Sequence, residues 1–220
     1  MDQSSLAAAA PARRLGLLSE KYESGGRGPG TVSGGQGDPG GVSYGLYQLA
    51  SRTGTVAAFL GAEGRAWAAD LRDSPGSAAF SKAWKAIAAR EGEAFAEAQH
   101  AFIERTHYRP TISAVRSATG LDLDRCADAV RDAVWSTAVQ HGSAPRILAA
   151  AVADADARAP RGTPAHERAC IEAIYARRTA HVLALAAKSG PAVRRTLTSV
   201  ARRRYPDELA AALAMLGQAG

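Results

Sequence analysis

The sequence predicts a mainly α-helical fold that carries a glycine-rich loop or small β-hairpin on its face. Three observations lead there. Hydrophobic residues make up 46% of the 220-residue chain and aromatics only 6%, because alanine supplies much of the apolar content. That composition favours closely packed helices over a β-sandwich, which would draw on more Val, Ile, Thr and aromatics. From about residue 53 onward apolar positions recur at helical spacing, punctuated by Gly, Pro and Asp/Ser. Ten of the 21 residues from Gly25 to Gly45 are glycine, so this segment can bring its backbone close to a bulky ligand.

Taken in order, residues 1–14 read as a flexible or short helical lead and residues 15–219 as a single domain, long enough to bury a substantial core. Leu15, Leu18 and Tyr22 follow helical spacing, and Gly25 and Gly26 stop that helix. The glycine loop covers 24–46, and alternation within VSYGLYQL predicts a short strand or hairpin arm. Helices are expected at about 53–61, 64–72, 77–89, 91–106, 110–119, 122–140, 143–157, 164–188, 191–203 and 206–217. Thr163 reads as a cap, with Pro164 in the first turn and Glu167 nearby; Tyr205-Pro206-Asp207-Glu208 separates the last two helices in the same way. Trp67, Trp84 and Trp135 fall at core-like positions and read as packing anchors. Cys126 and Cys170 read as buried free thiols rather than a disulfide.

Net charge is +6, which draws a protein toward polyanions. The basic residues are spread out, with one dense run at Arg202–Arg204, and no zinc-finger, helix-turn-helix or aromatic RNA-binding signature accompanies them. Nucleic acid is therefore not an expected partner. No stretch approaches a membrane span. The start, MDQSSLAAAAPARR, lacks the basic cluster and apolar run of a secretory signal, so a substrate outside the cytoplasm requires another machine to deliver or release the protein. Pro191–Leu216 is basic and amphipathic; closure of the core by a final helix pair is favoured over contact with an anionic membrane. His100 and His107 share a helix face but lack a third ligand, so no metal site is expected.

The chemistry concentrates at residues 21–48, KYESGGRGPGTVSGGQGDPGGVSYGLYQ. Glu23 closes an apolar-periodic stretch; the carbonyl end of the helix dipole and neighbouring Leu and Tyr bulk both favour its protonated form. A general acid must hold its proton at neutral pH, so the setting suits one. Asp38 lies in GQGDPGG, where backbone N–H groups and solvent keep a carboxylate ionised, ready to activate water or stabilise a developing oxocarbenium ion. A glutamate at a helix end and an aspartate before proline are also ordinary surface features. The flanking residues tip the balance: Ser43, Tyr44, Tyr47 and Gln48 offer hydroxyls, an amide and aromatic faces, the groups that stack on and hydrogen-bond to sugar rings. Arg27 either meets a substrate carboxylate or faces water.

The strings Y-E-S-G-G and G-D-P-G-G-V-S-Y-G-L-Y-Q resemble the catalytic segment of the lysozyme-like superfamily. The closest likeness is to chitosanase-like muramidase domains of type VI secretion spike proteins and phage endolysins. It continues more faintly through Ala83–Ala88, Ala98–Tyr108, Ala133–Gly142 and Ile174–Arg178. The resemblance implies a lysozyme-like, chitosanase-like helical fold and a single catalytic domain from about Leu15 onward. It implies cleavage of the β-1,4 bond between N-acetylmuramic acid and N-acetylglucosamine in peptidoglycan, without metal or cofactor. Glu23 and Asp38 match the catalytic carboxylates, and Glu63 and Asp70 are the nearest candidates for a third acid. The implied partners are peptidoglycan glycan strands, an immunity protein and a secretion spike; the implied place of action is the periplasmic cell wall, after release or injection.

Three other readings compete. A chitosanase specificity would use the same carboxylates. A Cys-dependent cell-wall peptidase or amidase would use Cys126, which follows LDLD near a helix start, with a histidine from among His141, His166 and His181. A non-catalytic glycan-binding module would keep the tyrosines and dispense with the acids.

Overall fold

The computed structural model describes residues 15–16, 28–35 and 39–218. Two short strands, β1 (Ser43–Tyr44) and β2 (Leu49–Ala50), pair antiparallel, with Ser43 opposite Ala50 and Tyr44 opposite Leu49. The rest is helical: α1 (Thr55–Gly61), α2 (Ala78–Ile103), α3 (Arg109–Thr119), α4 (Asp128–Gln140), α5 (Ala144–Asp156), α6 (Pro164–Ala187), α7 (Pro191–Ser199) and α8 (Tyr205–Gly217). The expectation of a mainly α fold with a small hairpin is met. The lead predicted for residues 1–14, and all but the first two residues of the helix predicted from Leu15, lie outside the described residues; Leu15 and Gly16 form a turn.

Local chemistry sets the boundaries. The Ser77 hydroxyl caps α2 by accepting from the Phe80 N–H, and Thr163 caps α6 by accepting from His166 N–H, with Pro164 behind it. Gly120 closes α3 in the left-handed region at φ 72. The break predicted near residue 90 is present: Glu91 leaves helical geometry (φ −136, ψ 40) and kinks α2 there. Three other expected boundaries move. Residues 64–72 form only a 3₁₀ turn, Arg65–Trp67. Residues 122–140 divide into a 3₁₀ turn, Leu123–Arg125, and α4, because the Glu167 carboxylate accepts the Ala127 N–H at 2.7 Å and holds Cys126 and Ala127 extended.

The third shift has a common cause at two places. π turns at Glu104–Tyr108 and Val200–Arg204 join α2 to α3 and α7 to α8 without a loop. Each is followed by a helix with proline at its second position, Pro110 or Pro206. Proline has no N–H to donate and its ring crowds the carbonyl four residues back; a wider turn accommodates both. The prolines thus change the helical register instead of ending the helix.

The helices meet around α4. Nine of its thirteen residues are buried, Asp132, Ser136 and Thr137 among them, and α4 packs against α5, α6 and α8. A helix buried on nearly every side must satisfy its polar groups internally. Thr137 donates to Ala133 O at 2.7 Å, Ser136 donates to the Glu208 carboxylate, and Asp132 accepts from the Gly16 N–H at 2.6 Å. Arg178, fully buried on α6, donates to Glu208 at 3.1 Å, Ser136 at 2.9 Å and Gln140 at 2.6 Å, and its guanidinium lies 4.4 Å from the centre of the Tyr205 ring. This ion pair ties α4, α6 and α8 together. Breaking it by removing one partner would strand a buried charge, at a cost of about 3–5 kcal/mol.

His141 follows α4 and sits against this cluster, 3.0 Å from the Tyr205 hydroxyl. Burial, then the nearby charges of Arg178 and His181, push its pKa from the ordinary 6.5 down to about 3. The unfolded imidazole takes up its proton near 6.5 and the folded one only near 3. Between those values the unfolded state binds more protons, so stability falls as pH falls. Going from pH 7 to 4.5 should cost about 2–3 kcal/mol through this residue. Urea titrations across that range should show the slope, and His141→Gln should flatten it; an unchanged slope would assign the acid sensitivity elsewhere.

Candidate active site

The hairpin is built to hold its turn rather than its strands. Gly45 and Gln48 both take positive φ, 75 and 54, so the YGLYQ stretch read as a strand is the turn itself. Below it runs α2. The Gln99 side chain, 0% exposed, accepts the Leu46 N–H on Oε1 at 2.9 Å and donates from Nε2 to the Pro29 carbonyl at 3.1 Å. Trp84 Nε1 donates to the same carbonyl at 2.8 Å. One buried amide thus joins the glycine loop to the hairpin turn. The approach is so close that a Cβ on Gly45 would stand 2.1 Å from Gln99 Oε1, so the position admits only glycine. A third arm closes the arrangement: Gly45 N donates to Thr31 O at 2.8 Å and Ser33 N to Ser43 O at 2.9 Å.

The next residue of α2 anchors the other side. His100 Nδ1 lies 2.9 Å from the Tyr47 hydroxyl, and its ring stacks on Trp135 of α4 at 4.3 Å and 8°. Gly16 rests on the same indole, where a Cβ would come within 2.6 Å of Nε1, and its N–H is held by Asp132. The described residues flanking 17–27, namely Gly16 on one side and Gly28–Pro29 on the other, are therefore both fixed by side chains of α2 and α4.

Glu23, Arg27 and Asp38 lie outside the described residues. Gly34, Gly35 and Gly41, which bracket residues 36–38 in sequence, line a polar hollow of about 290 Å³ with Ser51 and Arg52. Among the described site residues, Tyr47 and Gln48 are half-buried in the turn. Tyr44 corrects the sequence reading. It is 0% exposed, its ring packs 5.0 Å from Phe80 and 5.2 Å from Trp84, and its hydroxyl bonds Ser81 Oγ and accepts from the Gly76 N–H. It pegs the hairpin into the core and presents no face to a sugar. Ser43 is buried as well, its backbone held on both sides by Ser33.

The two acids considered for a third role are engaged. Glu63 is gripped by Arg105 through two hydrogen bonds at 2.5 and 2.9 Å, which hold its carboxyl below the usual range. Asp70 pairs with Arg90 at 2.9 Å. Cys126 does not suit a nucleophile: burial, with Glu167 and Asp122 nearby, pushes its thiol up to about 11. A Cys–His–Asp string does exist at Cys170, whose sulfur lies 3.6 Å from His166 Nδ1 while His166 Nε2 lies 2.9 Å from Asp156. That thiol is 1% exposed and is pushed up to about 12, chiefly by burial, so it is sealed and protonated.

Sequence reading missed Gln99 and His100 as parts of the site. The available signal was two polar residues in the apolar phase of a helix, between Phe95 and Phe102, since a buried amide there must find backbone partners. Gln99→Leu should leave the Leu46 N–H unpaired and destabilise the fold by about 1–3 kcal/mol, with faster hydrogen exchange at the Leu46 amide. Unchanged exchange and an unchanged urea midpoint would show that the amide does not hold the turn.

A family model described as the C-terminal region of VgrG3-like type VI secretion system spike proteins matches residues 15–204. Over 135 residues the chain is 42% identical to the type VI secretion system spike protein VgrG3 of Vibrio cholerae serotype O1, which covers 61% of this chain and 13% of that protein. The match begins at the residue beside Gly16 on the Trp135 anchor and ends with the last arginine of the second π turn: the chain belongs to the VgrG3-like C-terminal family of type VI secretion spike proteins.

Proposed function

We infer that this domain is a peptidoglycan hydrolase of the muramidase type, delivered as an antibacterial effector of a type VI secretion spike. The observation that carries the reading is the anchoring of Pro29 and Leu46 on one side chain of α2, within a stretch of sequence whose YESGG and GDPGG strings resemble lysozyme-like catalytic carboxylate motifs. A loop fixed at Pro29, Thr31 and Ser33 can hold two acids at a set separation, which is what glycoside cleavage requires. Membership of a spike-protein family supports delivery to a target cell, and the basic balance of the chain suits an acidic wall polymer.

In this reading Glu23 is the general acid. It protonates the glycosidic oxygen as the bond to the anomeric carbon breaks. Asp38, ionised, lies on the other side of the sugar ring and either activates a water or stabilises the oxocarbenium-like transition state; the carboxylate separation decides between these. Tyr47 and Gln48, presented by the turn, and Arg27 contact the glycan. Tyr44 and Ser43 act beneath them, as supports of the turn.

Glu23→Gln removes the proton donor at nearly constant volume. It should lower release of soluble fragments from purified sacculi by about a hundredfold or more, with thermal midpoint unchanged. A Glu23→Gln protein that digests sacculi like the parent would remove Glu23 from the mechanism.

A further inference from the structure

The polar hollow beside the glycine loop holds a cation that the fold does not use. Of the described residues that line it, Gly34, Gly35, Gly41 and Gly76 are glycine, so backbone forms much of its wall. The polar side chains among them are Ser51 and Arg52, which directly follow β2. Both converge on Gly41. A Cβ there would stand 2.5 Å from Ser51 Oγ and 3.0 Å from Arg52 Cγ, so the hydroxyl and the arginine stem flank one glycine. Backbone bonds fix them in place: Ser51 N donates to Val42 O at 2.9 Å, and Arg52 N to Gly40 O at 3.0 Å. Gly35 closes on the same segment, where a Cβ would come within 2.8 Å of Val42 N. Gly35 and Gly41 thus form a neck, and Asp38 is three residues along the chain from each, a reach of at most about 11 Å.

The stem of Arg52 is held and its head is not. The residue is exposed, and its guanidinium makes no hydrogen bond or ion pair among the described residues. The Ser51 hydroxyl has only a long contact, 3.5 Å, with Gly40 O. No carboxylate lines the hollow among the described residues. A guanidinium fork beside a hydroxyl, with no acid to neutralise it, suits a carboxylate brought by a ligand. In peptidoglycan the sugars of a stem-bearing strand are uncharged and the anionic groups are carboxylates of the peptide stems. A glucosamine polymer would instead bring cationic amines, which Arg52 repels.

We propose that Arg52, assisted by Ser51, binds a stem-peptide carboxylate of the glycan strand, an assignment that rests on the muramidase reading above. The residue sets specificity: it favours strands whose stems are charged and disfavours chitosan. It binds the substrate away from the bond being cut, so it acts on ground state and transition state alike and its loss raises KM with kcat unchanged.

The test compares two soluble, uncross-linked peptidoglycan strands: one with intact stems, the other with its stem carboxylates converted to amides. Release of reducing ends is followed with the full chain. Amidation should raise the parent's KM about tenfold and leave kcat unchanged. Arg52→Gln should show the raised KM already on intact strands, with no further response to amidation. Arg52→Lys, which keeps the charge and most of the stem over Gly41, should stay within about threefold of the parent. A parent indifferent to amidation overturns the proposal without recourse to any variant. So does an Arg52→Gln protein that still responds fully to amidation, or one that loses kcat equally on both strands with a lowered thermal midpoint, which would mark Arg52 as a support of the loop. If the parent releases no reducing ends from either strand, the muramidase reading fails. Equilibrium binding of the two strands then decides for Arg52: the tenfold preference, abolished in Arg52→Gln, is expected, and equal binding overturns it.

Discussion

The carboxamide of Gln99 lies at the crossing of everything that shapes the loop face. Its oxygen takes the Leu46 N–H and its nitrogen gives to the Pro29 carbonyl, so the two ends of one amide fix two segments that have no continuous secondary structure to hold them. An apolar residue of the same size would fill the space and leave the Leu46 N–H without this acceptor. The amide is useful there because it is buried: away from water, each of its bonds is costly to lose. Gly45 then follows as a requirement, since the turn approaches Gln99 more closely than a side chain allows.

This arrangement depends in turn on α4. Trp135 supports His100 from below, and Asp132, one turn earlier, holds Gly16. The same helix joins the Arg178–Glu208 pair through Ser136 and Gln140. A single buried helix therefore carries both the loop anchor and the charged lock on α8. Helix packing and loop geometry are coupled by contact, without any long-range device.

The helices were largely legible. Thr163 with Pro164, and Pro110 with Gly120, gave boundaries within a residue or two of α6 and α3, because capping and backbone restriction are local effects that a sequence displays directly. The π turns were not legible. Pro206 marks a place where a regular helix cannot continue, and nothing local says that the chain will widen and go on instead of turning away. The candidate site was legible in part. The glycine loop and the turn residues Tyr47 and Gln48 stood out by composition, while Tyr44 was misread because the same tyrosine serves a sugar or a core and only tertiary packing decides. Gln99 lies more than fifty residues from the turn it holds, and that pairing is visible only once α2 is laid beneath the hairpin.

The central claim is that the anchored loop presents two acids to one glycosidic bond. Mass spectrometry of the soluble products from purified sacculi tests it most directly, because product masses identify the bond that is cut. The account predicts disaccharide muropeptides that end in N-acetylmuramic acid, with peptide stems intact. Products with cleaved stems and new free amines, or sacculi that bind the protein and release nothing soluble, would contradict it.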